Sequence, residues 1–328
     1  MNNTQIRLLT IVLMMLLAIF LSSCTGALPR GCPPECLGLD LREKDLSETD
    51  LRGAMLSGVD MRKSDLARAD LSDANLSGAD LSNSSLEQAN LTNAKVLGAN
   101  LTNSNLTGAT LDNTDLNGAN LNSIDLTGVD LTTTNLTAVL LLNANMIGAN
   151  LSGVNLSGSE MNNAKLVAAN LSGAELIGTF MPLVDISGAD LSNADLSGAG
   201  LTQALLIGVN LREAKLSGVN MFGANLSSAD LRDADLTGAI LLGSFLNGAD
   251  LRGTDLSNAI IETLPNVTQD ELEAEIDYFI ENASGMITAD RNLLYDLYYN
   301  ADMSGVRYND ATIWPEGFMP PASAVKME

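Results

Sequence analysis

From Leu41 to Ile261 a large apolar residue returns at every fifth position. The count is (261 − 41)/5 + 1 = 45 places, each filled by Leu, Met, Ile or Val, with no insertion or deletion between them. With the apolar residue as position i, position i−2 is mostly Ala and sometimes Val, Ser or Thr. A period of five fits neither a helix nor a strand. Self-similarity at a short fixed period marks a solenoid instead. The pattern predicts a chain that turns every five residues. Residues i and i−2 then point to a common axis, and i−1, i+1 and i+2 face water. Gly and Asn at i+2, as in Gly78, Gly108 and Asn103, suit a turn with positive φ. Ser and Thr at i+1 are expected to bond nearby backbone. Stacked coils must pair their backbones, because burial traps polar groups that need partners.

The rhythm stops after Ile261. Thr268-Gln269-Asp270-Glu271 reads as a capping box that opens a helix. Leu272, Ile276, Phe279 and Ile280 follow at helical spacing, and Asn282 to Gly285 ends it. A second helix is expected from about Thr288 to Tyr299, with Leu293, Leu294, Leu297 and Tyr298 apolar. Helices this short need a surface to pack on. Ala301-Asp302-Met303-Ser304-Gly305 then restores the five-residue pattern, so the helices interrupt the solenoid and a last partial coil follows. Pro321 to Glu328 reads as a frayed end.

Runs such as Ala69-Asp70-Leu71-Ser72-Asp73 and Ala74-Asn75-Leu76-Ser77-Gly78 resemble the pentapeptide-repeat family, whose pattern is A(D/N)LXX. The resemblance covers about two thirds of the chain. It implies an all-β solenoid, a right-handed quadrilateral β-helix with four pentads per square coil. That gives about eleven coils and a rod roughly 50 Å long. Thr312-x-Trp314-Pro315-x-Gly317-Phe318 resembles a segment that closes many proteins of this family, so the sole Trp is expected to cap the open end.

If positions twenty apart stack, the outer faces differ along the rod. One i−1 column begins Asp40, Asp60, Asp80 and its i+1 companion begins Arg42, Arg62. Further along, the same face gathers Leu140, Leu142, Phe180, Leu183, Phe222, Ile240, Leu242 and Ile260. The neighbouring face adds Ile147, Val167, Leu205, Ile207 and Phe245. Apolar residues collected at nominally exposed places predict a docking stripe. Its occupant is the chain's own tail or a separate protein partner; scattered tolerated exposure is the bland alternative.

Residues 1–23 read as a targeting segment, with Arg7 before the apolar run Leu8–Leu21. Leu21-Ser22-Ser23-Cys24 resembles the lipobox of bacterial lipoproteins, in which cleavage precedes a lipid-modified Cys. The resemblance implies that acylated Cys24 anchors the protein in a lipid bilayer outside the cytoplasm. A plain secretory signal or an uncleaved anchor is the alternative. Residues 24–38 form a tether, in which Cys32 and Cys36 could close a small disulfide loop. Two thiols cannot complete a zinc site. The remaining divisions are the β-helix at 39–262, the helical insertion at 263–300, and the last coil, cap and tail at 301–328.

The formal charge is −23 and the chain has no His. That balance opposes nucleic-acid binding. Lack of His removes the commonest general base and metal ligand. Stacked Asp pairs such as Asp50–Asp70 and Asp235–Asp255 invite a Ca²⁺ reading, but the calcium-binding glycine-rich repeat is absent. No cofactor or metal is expected, and no enzyme. Frequent Asn-Leu-Ser/Thr triplets are a by-product of the repeat. The sequence therefore reads as a non-catalytic, membrane-tethered interaction or structural scaffold of the bacterial cell envelope. The alternative is an acidic rod that mimics DNA and acts on DNA gyrase.

Overall fold

The computed structural model describes residues 40–261 and 303–327. Parallel bridges join each i−1 residue to the one twenty further on, as in Asp60 to Asp80 and Asp80 to Asn100. Four pentads therefore complete one coil, and the molecule is a parallel β-solenoid. Each rung is a pair of short bonds. Leu71 N–H donates to Asn90 C=O at 2.7 Å, and Asn90 N–H donates to Ala69 C=O at 2.9 Å. A tight turn closes each corner, as where Ala74 N–H donates to Leu71 C=O at 3.0 Å. The third residue of that turn, i+2, adopts φ near +60°, whether it is Gly78 (66°) or Asn103 (57°). Nearly every i+2 place obeys this rule.

Thr133 is the exception: it holds an i+2 place and is not among the residues with positive φ. A β-branched side chain clashes in that region. Its hydroxyl instead accepts a bond from Asn113 N–H at 3.1 Å. Among the described residues, no bridge joins Thr110 to Asp130 or Asn135 to Asn155, the two rungs that flank this turn. The coil stack is locally loosened there.

The axis is filled as expected. Leu71, Leu91 and Leu111 are buried, as are the Ala residues at i−2. Hydroxyls at i−2 are tolerated because backbone carbonyls satisfy them. Ser64 and Ser104 donate within their own turn, to Met61 and Leu101 C=O. Thr114, Thr134 and Thr254 donate across to the preceding coil, to Leu91, Leu111 and Leu231 C=O at 2.8–3.0 Å.

Arg307 bridges Asp250 and Ile313 bridges Asp255, so the coil resumes after the interruption. Trp314 follows Tyr308 by six positions, where a regular pentad would place it at five. Asn309 absorbs the extra one: its Oδ1 accepts from Gly253 and Ala311 N–H, both at 3.2 Å. Thr312 donates to Leu251 C=O, repeating the threonine bond of the coil beneath. Trp314 and Phe318 pack on the core end, with ring centroids 5.2 Å apart, and Tyr308 meets Trp314 edge-on at 5.6 Å.

The expectation of a frayed tail is corrected. Strand β1 (Arg307–Tyr308) pairs in parallel with β2 (Val325–Lys326). Val325 N–H donates to Val306 C=O and Met327 N–H to Tyr308 C=O, both at 2.7 Å. The last coil would otherwise present bare edge carbonyls. A two-residue strand is too short to leave a periodic trace in sequence. The two expected helices, with residues 1–39, lie outside the described residues.

Candidate interaction surface

Each coil has four sides. Side A carries the i residues from Leu41 and Met61 to Ile261, and sides B, C and D follow at steps of five. The i−1 residue opens each side. Its carboxylate or amide oxygen accepts the i+1 backbone N–H, as Asp70 does from Ser72 and Asn75 from Ser77, both at 3.1 Å. The i+1 hydroxyl donates to the same oxygen at 2.7 Å. These hydroxyls therefore mostly bond Asp and Asn side chains, not the backbone partners expected of them.

Asn is also placed to stack on Asp. Asn90 Nδ2 donates to Asp70 Oδ1 at 3.1 Å, and Asn210 to Asp190 at 2.8 Å. Where Asp stacks on Asp, Arg at i+1 often intervenes. Arg42 lies 2.5 Å from Asp40 and 3.6 Å from Asp60. Arg52 and Arg62 repeat the arrangement. The Asp40 carboxyl is held well below its usual range by its Arg42 hydrogen bonds. These exposed pairs contribute little each. At the far end of side C the same device is buried. Asp250, its side chain 4% exposed, lies 2.7 Å from Arg252, 3.5 Å from Arg307 and 3.8 Å from Arg232. Burial pushes its carboxyl up, but the Arg252 hydrogen bonds and the charges of Arg252 and Arg307 outweigh burial and lower it. Arg307 thus ties the resumed coil to the repeats.

The acidic positions are consumed by this ladder. Among the described residues no group of three or more Asp, Glu, Cys or His could hold a metal ion. No helix there is long and apolar enough to cross a membrane. Cys24, Cys32 and Cys36 lie outside the described residues.

The predicted docking stripe is brought together on side A and divides in two. Leu140, Leu183 and Ile260 are exposed, and Leu142, Phe180 and Ile240 are half-buried. Phe222 and Leu242 are only 4% and 8% exposed, against the expectation that i+1 faces water. Pro182 and two polar members of their column, Asn162 and Thr202, are buried as well. Hydrophobicity alone could not have flagged the last two. Phe180 also lies across Gly200, where a Cβ would come within 3.2 Å of its ring. On side B the apolar residues are open: Ile207 is 43% and Phe245 41% exposed, beside Ile147, Leu205 and half-buried Val167.

A family model of pentapeptide repeats matches the chain in stretches that run from residue 38 to residue 262. The chain belongs to the pentapeptide-repeat family. Two of the matched stretches end at 132 and begin at 134, on either side of Thr133. The repeat protein HetL of the cyanobacterium Nostoc, involved in heterocyst differentiation regulation, is 32% identical. The match covers 70% of this chain and 93% of HetL, at a TM-score of 0.35. QnrB1, a plasmid-mediated fluoroquinolone resistance protein, is 16% identical over 58% of this chain and 99% of its own, at a TM-score of 0.37. Rfr23 of the cyanobacterium Cyanothece is 28% identical over 44% of this chain and 90% of its own, at a TM-score of 0.14. Comparison with curated protein sequences finds no match.

Proposed function

We propose that this pentapeptide-repeat chain is a non-catalytic interaction scaffold, a right-handed rod of about eleven square coils held at a bilayer through acylated Cys24. The observation that carries the interaction reading is the open apolar patch of side B, centred on Leu205, Ile207 and Phe245. Its backbone is already paired within the solenoid, so what the patch offers a partner is apolar side-chain area. A rigid rod presents it without an ordering cost. Leu21-Ser22-Ser23-Cys24 supports the tether and an extracytoplasmic, cell-envelope location.

The test is fractionation of bacteria fed labelled palmitate. Label and membrane association are expected in the native chain and lost in Cys24→Ser. Soluble, unlabelled cytoplasmic protein with residues 1–23 intact contradicts the tether. That outcome would favour the second reading, a DNA-mimicking rod acting on gyrase. The charge of −23 supports that reading, and inhibition or protection of gyrase supercoiling by the purified chain would test it.

A further inference from the structure

Side B changes character along the rod. Its first coils carry Asp45, Glu48, Asp65, Arg68 and Glu87. From Asn105 to Gly248 its outward places hold only three charges, on Asp125, Lys165 and Asp185, in a chain of net charge −23. The corners over the middle of this stretch are Gly148, Ala168, Gly188 and Gly208, so no long side chain screens it. Ile147 is 37% exposed there, and Leu205 and Ile207 are exposed as well.

The middle of the stretch is arranged symmetrically. Parallel bridges stack Asn145, Lys165, Asp185 and Leu205 in one i−1 column. Lys165 and Asp185 flank a common level. In the i+1 column Ile147 and Ile207 flank the same level, each one coil further out. Lys165 is exposed and, among the described residues, has no ion pair, whereas Lys215 of side D lies 3.3 Å from Asp195. Such a strip complements itself when reversed. A twofold axis in the contact plane, running across the rods, keeps each column opposite its own copy and reverses the order of the coils. Lys165 then meets the partner's Asp185, and Ile147 meets the partner's Ile207, each pair occurring twice. A shift of one coil either way would set Lys165 against Lys165 or Asp185 against Asp185, so charge fixes the register.

We infer that the partner of side B is a second copy of this chain, in an antiparallel pair centred on Ile147, Lys165, Asp185 and Ile207. This names the occupant of the surface proposed above and rests on that reading. Asp125, Thr127, Asn225 and Ser227 form a polar rim on the pair. Phe245 lies one coil beyond the rim and stays open. The two amino ends stand at opposite ends of the pair, so lipid tethers at both lay the rods flat on a bilayer, with the axis along its normal.

The photo-crosslinking residue benzoylphenylalanine, placed at Thr127 of the full chain and irradiated in intact cells, tests it. A product of twice the chain's mass is expected, joined to the peptide that holds Ser227, with none from the same residue at Thr137 on side D. The charge pair supplies the discriminating variants. Lys165→Asp sets Asp against Asp, and Asp185→Lys sets Lys against Lys. Each alone should lower the yield at least about tenfold, with circular dichroism of the rod unchanged. Expressed together, the two variants face each other with opposite charges and should restore the yield. A yield that neither single variant lowers, or that the two together do not restore, overturns the pairing. Crosslinks to a different protein alone overturn it too, yet leave side B a partner surface. No crosslink from Thr127 to any protein contradicts both readings.

Discussion

The first coils and the last coils share one interior and wear different exteriors. Leu and Ala fill the axis at Leu71 as they do at Leu211, with the same bond lengths in the rungs. Outside, the first coils of side A carry Asp40, Arg42, Asp60 and Arg62 in a solvated ion ladder. The last carry Phe222, Ile240 and Leu242. Because the axis alone fixes the coil, the outward positions are free to diverge without disturbing the fold. The constraint on them is local: Asp or Asn at i−1 caps its own turn, and anything at i+2 must accept positive φ.

The largest test of this comparison is to hollow the shared interior. Leu91→Ala and Leu211→Ala are each expected to cost about 3 kcal/mol, and by similar amounts, in urea unfolding. A clear difference would show that the two halves do not share one core. Next comes charge. Asp250→Ala leaves Arg252 and Arg307 facing a lost carboxylate and is expected to cost about 3 kcal/mol. Asp50→Ala, in an exposed pair, is expected to cost about 1 kcal/mol or less. The difference should also depend on pH. A carboxyl whose folded value is depressed contributes stability above its unfolded value and loses it as pH falls toward the folded one. The melting-temperature gap between native and Asp250→Ala chains should therefore be full at neutral pH and shrink below about pH 4. Smaller still is Gly200→Ala, which must displace the half-buried Phe180 ring, at about 1 kcal/mol. The smallest has the opposite sign. Thr133→Asn restores a residue tolerant of positive φ and is expected to stabilise by about 0.5 kcal/mol, with greater hydrogen-exchange protection around Asn113 and Asp130.

Much of this was legible beforehand because the repeat is periodic. The axis and the positive-φ corner follow from spacing, and the family resemblance implied the twenty-residue stacking of side chains and the closing role of Trp314. Three features did not. The pairing of Val325–Lys326 with Arg307–Tyr308 is set by a bare edge and leaves no hydropathy signal. The burial of Asn162 and Thr202 depends on their position in a column, whatever their polarity. Thr133 was visible as a β-branched residue in a corner place, but its effect on two neighbouring rungs needed the stacked coils to be seen.

The central claim is that the two apolar faces differ, with Phe222 of side A buried and Phe245 of side B open. Hydroxyl-radical footprinting of the intact chain compares two residues of one chemistry. Phe245 should be oxidised at least about fivefold faster than Phe222, as their exposures require. Equal rates at the two rings would contradict the account.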